Sequence, residues 1–228
     1  MRVCFTGFDS PMVIDDTAVS VLEVQNRALF ARVCESLASG LGVDAIEPYS
    51  LWADGDVELR PGSQVLLVAS PLALPWDDKL LSGGLATRLE KIAFEDEEVR
   101  QSIEEAFSAL RSRLSQVALG LDSDYTFGVD WELKRYRRTY GFGVDLVEDE
   151  PLIDKLIKFL KLAKDASLSR ALLFANLKLF LTDNDLDLFF EQVFFSRLQV
   201  LLIENVHDAS CRPHERNYTI DQDFLESW

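Results

Sequence analysis

Apolar residues follow two rhythms along this chain, and the change of rhythm separates a body from an insertion. Three stretches are apolar almost without interruption at strand length: VLLVAS at Val65 to Ser70, RALLFAN at Arg170 to Asn176, and LLIEN at Leu201 to Asn205. Such runs belong to strands covered on both faces, as in a largely parallel sheet. Long helical segments separate them, which predicts an α/β sheet with crossovers. Nearer the N-terminus, Arg2 to Phe8 and Met12 to Ile14 read as short strands around the Asp9-Ser10-Pro11 turn, and Ala18 to Leu22 as a third. Leu29, Phe30, Val33, Leu37 and Leu41 then recur three or four apart, predicting a helix that Gly40 and Gly42 end. Ala45 to Trp52 and Val57 to Leu59 flank Asp54-Gly55-Asp56, a hairpin signal.

The middle of the chain differs. Leu80 to Leu119 is polar and charged with a helical period, placing Ile92, Val99, Ile103, Phe107, Leu110 and Leu114 on one face. Leu152 to Lys164 is a second amphipathic helix. Residues 78–166 therefore read as a helical insertion, and 1–77 with 167–228 as the α/β body. An insertion of long helices projects from its body, and its apolar stripe needs cover. No internal repeat or low-complexity tract interrupts this plan.

With 228 residues the chain is long enough to bury a substantial core. Acids outnumber bases 39 to 23, a formal net charge of −16, which argues against a protein coating nucleic acid with its whole surface. A local basic groove stays compatible with that balance, because a phosphate feels charges within about 10 Å at ordinary salt. Cys4, Cys34 and Cys211 are far apart and make no metal-finger spacing, as expected of reduced thiols in the cytoplasm. The apolar runs are far shorter than the ~20 residues of a membrane span, and no basic-plus-apolar leader opens the chain. The expectation is a cytoplasmic protein without membrane contact.

A buried parallel sheet invites a nucleotide-binding reading. A phosphate loop needs G-x-x-x-x-G-K-[ST], so that backbone N–H groups cradle phosphate beside a lysine. No glycine here is followed by lysine, and no G-x-G-x-x-G follows a strand. Glu204, at the end of an apolar strand, resembles the metal-side carboxylate of a nucleotide hydrolase but lacks the loop it would assist. The two histidines, His207 and His214, read as exposed loop residues, and no nucleophile elbow or zinc-helix motif is present. No catalytic machinery is recognisable, so the chain is expected not to be an enzyme.

Two clusters remain. Asp122, Asp124, Asp130 and Glu132, in LDSDYTFGVDWEL, suit either a hard cation such as Ca²⁺ or helix capping. Lys134, Arg135, Arg137 and Arg138 crowd one short segment beside Trp131, Tyr136 and Tyr140. Lys155, Lys158, Lys161 and Lys164 step by three along the second helix and cover about half its circumference. These basic residues suit a solvated helix face or a phosphate-binding stripe, and both groups lie in the insertion.

In their order and spacing, several blocks resemble the ring-forming Csn-two family, the fourth protein of type II-A CRISPR loci. They are FTGFDSPMVID from Phe5, VLEVQNRALFARV from Val21, VLLVASPLALPWDDKLL from Val65 and LATRLEKIAFEDEEVRQSIEEAF from Leu85. LIDKLIKFLKLAK, RALLFANLKLFLTDNDLDLFFEQV, LQVLLIENV and YTIDQDFL continue the match to the C-terminal end. The resemblance implies an α/β head shaped like a nucleotide-binding domain, with a largely parallel sheet and an inserted α-helical leg. It implies a homotetrameric ring that takes double-stranded DNA through its hole, binds DNA ends without cutting, and is supported by Ca²⁺. The partners implied are the CRISPR integrase proteins and the RNA-guided nuclease. By position, Asp122, Asp124, Asp130 and Glu132 occupy the family's calcium segment. The segment departs from the family pattern in having Gly128, Trp131 and a basic run. The Lys134 to Arg138 group and the Lys155 series are the DNA-facing candidates by position. Two rival readings are a metal-dependent nuclease using Asp122, Asp124 and Asp130, and a protein-interaction scaffold that never touches DNA.

Overall fold

The computed structural model describes residues 1–128, 132–147, 149–210 and 212–227. In chain order, β1 (Arg2–Phe5), β2 (Met12–Val13) and β3 (Val19–Val24) precede α1 (Arg27–Ser39), and β4 (Tyr49–Ala53) and β5 (Val57–Leu59) follow it. A single turn, α2 (Pro61–Gln64), leads into β6 (Val65–Val68). Four helices come next: α3 (Lys79–Glu95), α4 (Glu97–Ala118), α5 (Leu133–Tyr140) and α6 (Leu152–Asp165). The chain closes with β7 (Ala171–Ala175), α7 (Asp183–Ser196), β8 (Val200–Glu204), β9 (Glu215–Ile220) and β10 (Glu226–Ser227).

The three apolar runs become β6, β7 and β8, neighbours in a six-stranded sheet of order β10-β9-β3-β8-β7-β6. Its strands β9, β3, β8, β7 and β6 pair parallel, and β10 pairs antiparallel with β9. Both faces are covered. Val21, Leu172, Phe174, Val200 and Leu202 point to one side, where α6 and α7 supply Leu156, Phe159, Leu160, Leu186, Phe189 and Phe190. Leu22, Val24, Leu173, Leu201 and Ile203 point to the other, against Leu29, Val33 and Leu37 of α1. On that second side also lies the antiparallel sheet β2-β1-β4-β5, through Val3, Phe5, Tyr49 and Leu51. The expected α/β class with a largely parallel sheet is what the chain adopts.

β6 and β7 are parallel neighbours, so a crossover must join them, and a parallel pair needs a dozen or more residues for it. Here the crossover holds α3 to α6. The sequence groups α6 with the insertion, whereas its packing groups it with the sheet. Leu156, Phe159 and Leu160 are fully buried in the sheet-side core, together about 6 kcal/mol of burial. The long helical stretch from Leu80 also divides. Asp96 takes extended backbone and accepts from the N–H groups of Glu98 and Val99, so it caps a new helix instead of continuing the old one. α4 buries none of its residues, and Ile92, Val99, Leu110, Leu114 and Val117 stay exposed along α3 and α4.

Candidate nucleic-acid interface

α5 is short and its sides are unlike. Tyr136 packs edge-on to Phe107 of α4, with ring centroids 5.5 Å apart, and stands 4.5 Å from Tyr140. These aromatic contacts seat the helix and leave Lys134, Arg135 and Arg138 exposed, while Arg137 is half-buried. Arg137 and Arg138 occupy the last turn, where cations oppose the negative end of the helix dipole. Gly141 ends the helix in the left-handed conformation, its N–H on the carbonyl of Arg137. The strap that follows meets both helices. Phe142, Gly143 and Val144 line one cavity with Arg137 and another with Lys158 and Lys161.

The lysines of α6 divide by what already holds them. Lys158 is paired with Glu150 at 2.7 Å and donates to the carbonyl of Asp145 at 3.2 Å. Lys155 is half-buried, while Lys161 and Lys164 are exposed. On α5, Arg135 pairs with Glu132 at 3.1 Å. On α5 and α6 the cations most open to a polyanion are therefore Lys134, Arg138, Lys161 and Lys164, the last making only a long 3.5 Å contact to the carbonyl of Phe195.

The acidic segment presents a different picture. Asp122 and Asp124 are exposed, Glu132 is committed to Arg135, and Asp130 lies outside the described residues. Among the described residues no group of three or more His, Cys, Asp or Glu side chains is arranged to hold a metal ion.

Sequence reasoning missed a buried polar cluster at the carboxyl ends of β3 and β8. Glu23 and Glu204 are register partners on these neighbouring strands, both 1% exposed. Glu23 meets Nδ1 of His207 at 2.7 Å and accepts from the N–H of Asp208. Glu204 accepts from the N–H of Lys178, whose Nζ reaches Glu215 at 2.7 Å and Asp208 at 3.2 Å. Arg212 adds ion pairs to Asp183, Asp187 and Asp208. Burial pushes the Glu204 carboxyl up to about 7, against the N–H groups of Lys178 and Leu177 and the Lys178 charge. Burial also tends to raise Asp208, but the Ser210 hydroxyl and N–H, with Lys178, hold it well below the usual carboxylate range. His207 and His214 are exposed loop residues as expected, but each has a partner: His207 joins this cluster through Glu23, and His214 stacks on Phe194 at 3.9 Å. Cys34 is half-buried and its thiol is pushed up to about 11 by burial and the nearby Glu204, so it stays protonated and unreactive.

The geometry also explains why the sheet carries no phosphate loop. Gln25 and Asn26 alone join β3 to α1, and the Asn26 side chain already accepts from the N–H groups of Ala28 and Leu29. A link of two residues cannot wrap a phosphate, and part of the helix terminus that would greet one is capped from within.

None of the curated proteins matches the chain. In fold it is similar to the crystal structure of Stu0660 of Streptococcus thermophilus, with a TM-score of 0.56 and 15% identity over 89% of this chain and 68% of that one. The family model described as CRISPR-associated protein (Cas_Csn2) matches residues 44–224, from before β4 to the approach to β10, and the chain belongs to that family.

Proposed function

We propose that this chain holds double-stranded DNA without cutting it or reading its sequence, as a homotetrameric ring serving CRISPR spacer acquisition. The observation that carries the reading is the set of exposed cations on α5 and α6, Lys134, Arg138, Lys161 and Lys164, in an otherwise acidic chain. One subunit offers too few cations to hold a duplex against its own net charge of −16. Several copies pooling them around a shared hole would suffice. The uncovered apolar stripe of α3 and α4 supports association with further copies, because exposed patches of this kind mark protein contacts. The integrase proteins and the RNA-guided nuclease are the partners proposed for the complex in the cell. Ca²⁺ is proposed to support the ring, as the family resemblance implies.

Phosphate contacts make binding salt-dependent, because each neutralised phosphate releases condensed counterions. Anisotropy titrations of two linear duplexes of unrelated sequence, at rising salt, test this directly. With roughly 6–10 phosphate contacts, affinity falls by about 10³-fold or more between 50 and 200 mM salt, equally for both sequences. Binding that ignores a doubling of salt contradicts the reading, and product bands in the presence of Mg²⁺ or Mn²⁺ favour a nuclease. An associating chain that binds no duplex is the scaffold.

A further inference from the structure

The α/β body holds a pocket of about 190 Å³ between the turn after β1, α1 and β10. Phe8 and Phe224 bring aromatic rings to it, and Arg32, Glu47 and Glu226 bring charge. None of these residues belongs to α3–α6, so the pocket stands apart from the cations assigned to DNA.

The walls are tied to one another. Glu226 accepts from the N–H of Asp9 at 2.8 Å through Oε1, which joins β10 to the turn after β1. Arg32 donates through Nε to Glu47, whose own N–H is held by the Ser36 hydroxyl at 2.8 Å. Asp221 closes the turn before β10, its carboxylate accepting from the N–H groups of Asp223 and Leu225. That turn holds Phe224 in the left-handed region, at φ 63°, and leaves Phe224 and Leu225 exposed. Anchor pockets at protein interfaces share this layout, a single site ringed by contacts that exclude water.

The charges identify the occupant. Arg32 and Glu47 offset each other, which leaves the Glu226 carboxylate uncompensated. Its Oε2 is buried and has no hydrogen-bond partner among the described residues, whereas buried acceptors are normally satisfied. The missing group is therefore a donor, and a cationic donor makes the strongest bond to a carboxylate. An anion would meet Glu226 and Glu47, and a purely apolar group would leave Oε2 unmade. Two rings beside one carboxylate favour a guanidinium or ammonium, which gains from a ring face as well as from the charge. The volume lies below the range of small-molecule sites and suits the head of one side chain.

We propose that this pocket receives one arginine or lysine side chain of a partner protein. The cation sits at Glu226 beside the rings of Phe8 and Phe224, and apolar neighbours of the inserted residue lie against Phe224 and Leu225. The proposal does not rest on DNA binding, and it gives the acidic body a contact of its own.

Saturation-transfer NMR on the full chain tests it with two peptides. One is a capped leucine-arginine-leucine tripeptide, and the other has citrulline in place of arginine, which keeps the shape and loses the charge. The arginine peptide should bind about 10-fold tighter, the effect of one hydrogen bond to a charged group. Glu226→Gln, which keeps an acceptor for Asp9, should bring that ratio to about one. Gly7→Leu should weaken both peptides by filling the pocket, since Gly7 lines it and an added Cβ meets nothing within 4 Å. Equal binding of the two peptides, no binding of either, or binding that survives Glu226→Gln or Gly7→Leu unchanged overturns the proposal. Free arginine binding as tightly as the tripeptide also overturns it, by making the pocket a small-molecule site. A fall in native mass on Glu226→Gln overturns it too, by giving the pocket to a second copy of this chain.

Discussion

Adjacent glycines near the start of α3, Gly83 and Gly84, should respond in opposite directions to the same added methyl group. A Cβ on Gly84 would stand 2.2 Å from the carbonyl oxygen of Ala166 and 2.9 Å from its Cβ, so here α3 crosses the end of α6 backbone to backbone. A Cβ on Gly83 meets nothing within 4 Å. In a helix interior Gly→Ala is worth about 1 kcal/mol of stability, so Gly83→Ala should stabilise by about that much. At Gly84 the oxygen belongs to backbone and cannot swing away, and the overpacking costs about 1–3 kcal/mol, its upper end exceeding the propensity gain. A 2.2 Å approach to backbone calls for that upper end, so the expected net is roughly 2 kcal/mol of destabilisation. For a chain of this length each 1 kcal/mol moves Tm by about 2–4 °C. Thermal unfolding followed by far-UV circular dichroism should raise Tm for Gly83→Ala and lower it for Gly84→Ala. A Gly84→Ala protein as stable as Gly83→Ala would mean that α3 is not seated on α6, and that the projecting helices lack the fixed base described above.

Three further outcomes follow from the same structure. Glu204 has a folded pKa near 7 against an ordinary 4.5, so folding favours its protonated form. Its contribution is whole below about pH 4.5 and is lost as pH rises through 7, roughly 3 kcal/mol in all. Urea midpoints across this window should fall less steeply for Glu204→Gln than for the parent, and identical profiles would contradict the assignment. Lys178→Met should destabilise by about 3–5 kcal/mol, because the side chain is 9% exposed and its loss leaves the fully buried Glu215 carboxylate without its ion pair, while Asp208 keeps Arg212; a neutral effect on the urea midpoint would refute this. The double change Lys161→Gln with Lys164→Gln should lessen the slope of log affinity against log salt by about 0.9 for each phosphate contact removed. An unchanged slope would remove α6 from the interface.

Elements whose burial is written in the residue types were legible: β6, β7 and β8 as apolar runs, and α1 by its period and its Gly40 stop. β3 was only half legible. It is buried along its whole length, yet Ser20 and Glu23 break the apolar run. Both are bonded inside, Ser20 to the carbonyl of Val13 and Glu23 to His207 and Asp208, which removes the cost that would otherwise exclude them. β9 was hidden for the same reason, since Glu215 pairs with Lys178 and Arg216 with Asp15. The polar cluster draws on residues as far apart as Glu23 and Glu215, and no spacing rule reveals such a grouping before the fold is known. Basic residues of α5 and α6 could be found by composition. Which of them are already engaged could not, because Glu150 and Glu132 do not advertise their partners.

Lysine acylation footprinting by mass spectrometry, on the chain saturated with linear duplex, tests most directly whether these helices face the DNA. Lys134, Lys161 and Lys164 should lose reactivity together, while the exposed Lys79 and Lys91 of α3 keep theirs. Full reactivity at Lys134, Lys161 and Lys164 under saturating duplex would contradict the account.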